Sequence, residues 1–209
     1  MRSFPVIASE IAVTYLRLAI AILIFSFVVA IDDETTGVFT FNLDDFYIHD
    51  LYFEIIQPEE LGYTYKIHLA KNFGTPFNET YINIGLVPAD PIHGCASPYN
   101  DLEIKDNIAL VQRGDCSFLS KALQAERAGA VGVIIMDSTF DNDEEYIEMI
   151  HDNTYRQVSI PAAFLLGKNG YMITSTLMSK QMNSAIINIP INLTMIPRHK
   201  QRQPPWLIW

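Results

Sequence analysis

The sequence predicts an α/β fold, and residues 108–137 are the main reason. Ile108, Leu110 and Val111 form a short apolar strand that ends in turn-forming residues, and an alanine-rich helical pattern follows. Residues 131–135 are continuously apolar, which is expected of a strand that is covered on both faces. A strand, a helix and a strand in this order usually form a right-handed parallel crossover.

The helix in this segment has clear start and stop signals. Ser117 suits the N-cap position, because its hydroxyl can accept a hydrogen bond from a free backbone amide. Phe118, Ala122 and Ala125 recur on one helical face, and the small alanines allow close approach to a sheet. Gly129 suits the left-handed position that ends many helices.

The remaining elements are predicted more coarsely from alternation and turn residues. In chain order we expect strands at 46–56, 63–70 and 81–87, a long loop at 88–101, a helix at 171–181 and a closing strand at 185–191. There is no internal repeat and no low-complexity tract. The pattern predicts a mixed sheet assembly with a few helices.

Several spaced motifs resemble the protease-associated (PA) domain family. They are Arg113-Gly114-Asp115-Cys116-Ser117-Phe118 with Lys121 beyond it, Ala128-Gly129-Ala130, and Ile160-Pro161 before an apolar strand with Gly170 after it. The resemblance covers about residues 80–190, and the flanks at 48–53 and 203–206 are similar to secreted glycoproteins that consist of a PA domain alone. It implies a β/β/α architecture, with mixed sheets forming an open barrel or sandwich flanked by a few helices.

The N-terminus has the pattern of a secretory signal peptide. Arg2 and Arg17 precede an apolar run at 18–30, and Ala30 is a small residue suited to cleavage. As a helix this run spans about 20 Å, against about 30 Å for a bilayer core. The alternative is a signal anchor at 11–31, with Arg17 inside the membrane at a cost.

Length and charge bound the mature protein. The chain has 209 residues, which suits one domain and does not accommodate a PA domain plus a peptidase domain. We expect a signal peptide at 1–30, an N-terminal flank at 31–45, a PA domain with its N-terminal strands at 46–196 and an aromatic tail at 197–209. The net charge is −10, and residues 1–30 carry +1 of it, which leaves −11. An acidic domain has no electrostatic footprint for nucleic acid, and we expect no stable membrane insertion after signal cleavage.

The two cysteines, Cys95 and Cys116, fit a single disulfide in an oxidising compartment. The PA family pattern also pairs cysteines in this region. Such a bond closes a loop of about 22 residues and stabilises the fold by about 3 kcal/mol in the chain-entropy model. The alternative is a reactive thiol at Cys116, whose pKa would fall next to a helix N-terminus.

Two sequons, at Asn78 and Asn192, are candidate N-glycosylation sites for a secreted protein. Asn192 ranks first, because its segment resembles that of the secreted PA-only proteins. The chance occurrence of so short a pattern is the alternative at both positions.

The acidic stretch at 137–152 is the only segment that suggests a metal. Asp141, Asp143, Glu145 and Asp152 stand at positions 1, 3, 5 and 12 of a calcium-loop pattern, but Tyr146 occupies the place of the glycine that the turn requires. A helix start with solvated carboxylates is the favoured interpretation. We therefore expect no metal and no cofactor.

Catalytic signatures are absent from the sequence. The five histidines have no zinc-peptidase spacing, and there is neither a nucleophile elbow nor a phosphate-binding glycine loop. A triad assembled from distant residues remains open, because triads are not local in sequence. The tripeptide Arg113-Gly114-Asp115 also allows an adhesion ligand, although the PA turn already accounts for its Arg-Gly pair.

The resemblance therefore predicts a secreted, non-catalytic PA-domain glycoprotein that recognises a protein or peptide partner. The alternatives are a hydrolase with a non-local site and an adhesion ligand. The recognising surface is expected in the 88–101 loop, the acidic 137–152 stretch or the aromatic tail. For the tail we favour docking on the domain itself over docking on a partner, because two Trp side chains are unfavourable in solvent.

Overall fold

The structure is a computed structural model, and it describes residues 50–197 and 200–207. These residues belong to one compact unit, Ile48–Trp209. The signal peptide at 1–30, the flank at 31–45 and the first residues of the strand predicted at 46–56 lie outside the described residues. In the described ranges, no helix combines the length and the apolar character needed to cross a bilayer.

The described chain forms seven strands and three α-helices around one barrel. The strands are β1 (Asp50–Gln57), β2 (Thr64–Leu69), β3 (Tyr81–Pro88), β4 (Ile108–Gln112), β5 (Gly132–Met136), β6 (Ala162–Leu165) and β7 (Ala185–Ile189). The helices are α1 (Asp101–Ile104), α2 (Phe118–Arg127) and α3 (Gly167–Lys180), and short 3-10 turns lie at Glu59–Leu61 and Leu193–Met195.

The sheet order is β1-β2-β6-β5-β4-β3-β7, and β7 also pairs with β1. The run β3-β4-β5-β6 is parallel, and the remaining pairs are antiparallel. The α/β class and the β-α-β unit are confirmed, since α2 carries the chain from β4 to its parallel neighbour β5. The barrel is closed, because β7 pairs with β3 on one side and with β1 on the other. The family resemblance implies an open barrel or a sandwich, so the structure differs from that expectation in its closure.

Two apolar clusters hold the fold, one inside the barrel and one between the sheet and α2. Strand β5 supplies both, because successive side chains of a strand point to opposite faces. Ile134 and Met136 belong to the first cluster, and Val133 and Ile135 to the second. This double burial explains the continuous apolar run seen in the sequence.

The ends of α2 are as predicted. The Ser117 hydroxyl accepts a hydrogen bond from the backbone N–H of Ser120 at 3.1 Å, which satisfies a free amide of the first turn. Gly129 follows the helix with φ of +85°. That left-handed conformation is unstrained in glycine alone, so the residue type sets where the helix ends.

Two predictions of local structure are wrong. The acidic 137–152 stretch is an irregular loop and not a helix start. The Asn142 side chain accepts hydrogen bonds from the backbone N–H groups of Glu144 and Glu145, which competes with helical bonding. Helix α3 begins at Gly167, four residues before the predicted start. Gly167 and Gly170 lie in its first turn, where a Cβ atom would clash with Thr139 and Met136, so the close packing there requires glycine.

The aromatic tail packs on its own domain at Trp206, as favoured from the sequence. The Trp206 indole N–H donates to Asn169 Oδ1 at 2.8 Å, and its ring meets Tyr63 edge-on with 5.3 Å between centroids. The backbone N–H of Thr64 donates to the carbonyl of Arg202, which fixes the preceding residues of the tail. Ile208 and Trp209 lie outside the described residues.

Candidate recognition cleft

A cleft of about 690 Å³ opens at the carboxyl ends of the parallel strands. Its lining includes Pro88, Gln112 and Met136, the last residues of β3, β4 and β5. The carboxyl ends of neighbouring parallel strands meet at one edge of a sheet, so the loops that follow them surround a common space. The volume falls within the range of binding sites, which is about 300–1,000 Å³.

Helix α3 contributes a large part of the cleft, including Tyr171, Leu177 and Met178. Its close approach to the sheet depends on Gly170, where a Cβ atom would lie 2.5 Å from the Cβ of Met136. Any side chain at that position would therefore push the helix away from the strand ends.

The lining of the cleft includes three large apolar side chains that are exposed to solvent. Phe140 is 64% exposed, Tyr171 52% and Met178 81%, and the first two rings lie 5.8 Å apart. Met136 and Met182 also line the site. Contiguous exposed apolar groups mark interaction sites, and flexible methionines adapt to differently shaped partners.

The charges at the cleft are acidic or already paired. Asp90 and Glu103 line it, and among the described lining residues there is no Lys or Arg. His93 lies 3.2 Å from the Asp115 carboxylate, and Asp137 is paired with Arg113 at 3.0 Å. The cleft therefore presents two carboxylates without a cation of its own.

Asp137 anchors the base of the cleft. Its side chain is 3% exposed and accepts hydrogen bonds from Arg113 Nη1, Asn142 Nδ2 and the backbone N–H of Ser138. Burial opposes ionisation, but the hydrogen bonds from Asn142 and Arg113 outweigh it and hold the pKa of Asp137 below its usual value. The carboxylate is thus a structural anion that links β5, the acidic loop and the Arg-Gly turn.

The disulfide expected from the sequence is present. Cys95, in the loop after β3, is bonded to Cys116, in the turn after β4. It therefore joins two loops at the edge of the cleft, and Cys116 is not a free thiol in this structure.

The residues that match the calcium-loop pattern do not converge on one point. Asp143 pairs with Lys168 at 2.7 Å, and Asp152 accepts hydrogen bonds from Ser117 and Thr154 that lower its pKa. Within the described ranges, no group of three or more His, Cys, Asp or Glu side chains is placed to hold a metal ion.

Among the described residues, Ser117, His151 and Asp152 include a serine–carboxylate contact but lack the geometry of a catalytic triad. Ser117 donates directly to Asp152 at 2.6 Å, without an imidazole between them. His151 instead accepts from the backbone N–H of Asn153 and contacts the carbonyl of Arg156. An imidazole must bridge serine and carboxylate to act as general base, so this cluster does not form a triad.

The two charges of the Arg113-Gly114-Asp115 tripeptide are both engaged within the domain. Arg113 is bound to Asp137, and Asp115 to His93. This arrangement agrees with a scaffold role for the turn.

Both sequon asparagines are exposed. At Asn192 the side-chain Oδ1 accepts hydrogen bonds from the backbone N–H of Thr194 at 3.0 Å and from its hydroxyl at 2.7 Å. The sequon therefore adopts a tight polar turn on the surface.

The fold has the α/β architecture that the resemblance to PA domains implies, and comparison with known proteins shows the family. The PA domain family matches residues 82–173. The chain is 45% identical to PRADC1-like protein of Drosophila melanogaster over 178 residues, which cover 84% of this chain and 91% of that protein. The chain belongs to the PA-domain family that includes this relative.

More distant similarities involve larger proteins. ER degradation-enhancing alpha-mannosidase-like protein 3 of Xenopus laevis is 33% identical over 109 residues, which are 50% of this chain and 12% of that protein. A solved aminopeptidase from Aneurinibacillus sp. strain AM-1 superposes with a TM-score of 0.47 and 19% identity, covering 67% of this chain and 30% of that one.

Proposed function

We propose that this PA-domain protein is a non-catalytic recognition module that holds an extended segment of a protein partner in the cleft. The observation that carries the proposal is a group of exposed apolar side chains in the cleft at the carboxyl ends of the parallel strands. They are Phe140, Tyr171 and Met178, of which Met178 is the most exposed. A monomeric domain without a partner gains nothing from such a patch, because it lowers solubility.

The apolar and acidic residues of the cleft indicate which side chains a bound segment would carry. An apolar side chain would pack among Met136, Met178 and Tyr171, and flanking Lys or Arg side chains would meet Asp90 and Glu103. The charge of the domain favours the same partner, because an acidic surface attracts basic segments and repels acidic ones.

Selection from a random peptide library on the immobilised full chain tests this proposal. We expect the recovered peptides to combine one large apolar residue with flanking Lys or Arg. Their affinity, measured by fluorescence anisotropy, should fall about tenfold or more in Met178→Glu, since the change places a charge against the apolar anchor.

Leu102→Glu is the matched control, because Leu102 is 85% exposed and is not among the cleft-lining residues. Equal binding to both variants, or peptides without this chemistry, would exclude the cleft as the site. Whether the protein is non-catalytic is tested by incubating the peptides with the protein and analysing them by mass spectrometry. Cleavage that is lost on one point substitution in the protein would identify an enzyme.

We infer that the protein is secreted after removal of residues 1–30 and carries a glycan at Asn192. The charged start and short apolar run support secretion, and the exposed turn at Asn192 supports modification. Expression of the full chain in secreting eukaryotic cells should give a medium form that starts at Ile31 and shifts on glycosidase treatment. Asn192→Gln should remove a larger part of that shift than Asn78→Gln, and retention of the intact N-terminus in membranes would indicate the signal anchor instead.

A further inference from the structure

Lys121 is buried where the two cysteine-bearing segments meet. It is 0% exposed, and its Nζ donates to the carbonyl oxygens of His93 and Gly114, both at 2.6 Å. The same atom lies 3.5 Å from the Sγ of Cys95. Burial of an ammonium is costly, so a lysine at a position that an apolar residue could fill indicates a specific task.

The two acceptors occupy equivalent positions in the chain. His93 stands two residues before Cys95, and Gly114 stands two residues before Cys116. One ammonium therefore ties both segments together by bonds that do not involve sulfur. The backbone bond from Gln112 to Ile92, at 2.8 Å, joins the same two segments. These hydrogen bonds hold the two cysteine-bearing segments side by side independently of the disulfide.

We propose that Lys121 guides closure of the Cys95–Cys116 disulfide: its ammonium holds the two segments together in the dithiol form and makes Cys95 the attacking thiolate. With a small disulfide such as oxidised glutathione, the Cys95 thiolate attacks one sulfur and displaces the first glutathione thiolate. Cys116 then loses its proton to solvent and attacks the Cys95 sulfur, which releases the second glutathione. Two thiols of the protein are oxidised and one glutathione disulfide is reduced to two thiols.

The charges around the two sulfurs differ. The Lys121 ammonium contacts the Cys95 sulfur, and His93, which pairs with Asp115, stands two residues before Cys95 in the chain. Near Cys116 are the Asp115 carboxylate, the N-terminus of α2 and, through Ser117, Asp152 with its partner Arg156. Arg113 precedes this group in the chain, with its charge directed to Asp137.

Burial lowers the pKa of Lys121, and the Asp115 carboxylate partly opposes that change. The two short bonds to carbonyl oxygens favour the protonated form. A contacting ammonium stabilises a thiolate, so the effect of Lys121 falls chiefly on Cys95.

Single-thiol variants of the full chain give the first test. In Cys116→Ser, the pH dependence of iodoacetamide alkylation should show a Cys95 thiol pKa at least about one unit below the ordinary value of about 8.5. Adding Lys121→Met should return it to the ordinary value or above. In Cys95→Ser, the same substitution should change the Cys116 profile less. An ordinary pKa for Cys95 with Lys121 present would overturn the proposal, and this measurement does not require the Lys121 variant to fold.

Closure kinetics give the second test. The reduced protein with both cysteines is mixed with oxidised glutathione at pH 7, quenched with acid and analysed by mass spectrometry. Lys121→Met should slow disulfide formation about tenfold, through a smaller thiolate fraction and poorer placement of the two thiols. Lys105→Met is the matched control, because Lys105 is exposed and its removal changes the charge equally. Equal closure rates in the wild type and a folded Lys121→Met variant would refute the guiding role.

Discussion

Replacing Asp137 by alanine tests whether this buried carboxylate holds the base of the cleft together. The substitution removes the acceptor of three hydrogen bonds, two of them from side chains at 3.0 Å (Arg113) and 2.8 Å (Asn142). The third donor is the backbone N–H of Ser138, also at 2.8 Å.

The expected cost is about 3 kcal/mol. A hydrogen bond to a charged group contributes about 1.5–3 kcal/mol, and breaking a fully buried ion pair costs about 3–5 kcal/mol. Arg113 is partly exposed, so water can replace the lost carboxylate at the guanidinium and the cost stays near the lower limit. Most of the expected cost of about 3 kcal/mol therefore comes from the Ser138 amide and the Asn142 side chain, which lose their hydrogen-bond acceptor.

Equilibrium unfolding in urea, followed by tryptophan fluorescence, measures this loss. Asp141→Ala is the matched control, because Asp141 is an exposed carboxylate of the same loop, and it should change the free energy of unfolding by less than about 0.5 kcal/mol. A loss below about 1 kcal/mol for Asp137→Ala would refute the anchoring role.

The pH dependence gives a second readout of the same group. The pKa of Asp137 is lowered in the folded protein, so its ionised form contributes stability that is complete above the unfolded value of about 3.9. That contribution is lost as the pH falls through the lower, folded-state pKa. The difference in stability between the wild type and Asp137→Asn should therefore be constant above about pH 5 and shrink below about pH 4.

Substitutions at three further positions test the contacts that stabilise the fold. Trp206→Ala should destabilise by about 2–3 kcal/mol in urea unfolding followed by circular dichroism, because it removes ring packing and the hydrogen bond to the buried Asn169; no change would show that the tail is not docked in solution. Gly94→Ala should cost about 1–3 kcal/mol, since φ is +58° and a Cβ would lie 2.8 Å from Val111 Cγ1; a neutral result would exclude this loop conformation. Ser117→Ala should cost about 1–2 kcal/mol in the same unfolding measurement, because it removes the N-cap and the hydrogen bond to Asp152, and Ser117→Thr should restore most of the loss; a threonine variant as unstable as the alanine variant would contradict the capping role.

The parts of the fold that the sequence predicts are those with local physical causes. The N-cap at Ser117, the helix end at Gly129 and the doubly covered strand β5 each follow from short-range chemistry and periodicity. The start of α3 cannot be predicted from local sequence, because glycines normally mark the ends of helices. Gly167 and Gly170 lie inside the helix, where a Cβ would collide with the loop after β5 and with Met136. Only the packed structure reveals that requirement.

The cleft could not be predicted as a site, since its lining comes from segments far apart in the sequence. The 88–101 loop, which the sequence offers as a candidate surface, lines the cleft together with helix α3, which it does not offer, because Tyr171 and Met178 are ordinary residues in a helical pattern. One signal was available: three methionines, Met172, Met178 and Met182, are concentrated within eleven residues of the chain. Methionine enrichment is common at adaptable binding surfaces, and here two of the three line the cleft.

The family motif acquires a specific physical meaning from these contacts. Arg113 reaches the end of β5 through Asp137, Cys116 is bonded to the loop after β3, and Lys121 binds the same loop through the carbonyl of His93. Together these residues connect the β4–α2 turn and the first turns of α2 to the segments that follow two other parallel strands, β3 and β5. Because those segments surround the cleft, the motif fixes the shape of the cleft without supplying its apolar lining. In the proposed recognition role, the chemistry of the partner would therefore be set by α3 and the loop after β3, and not by the family motif.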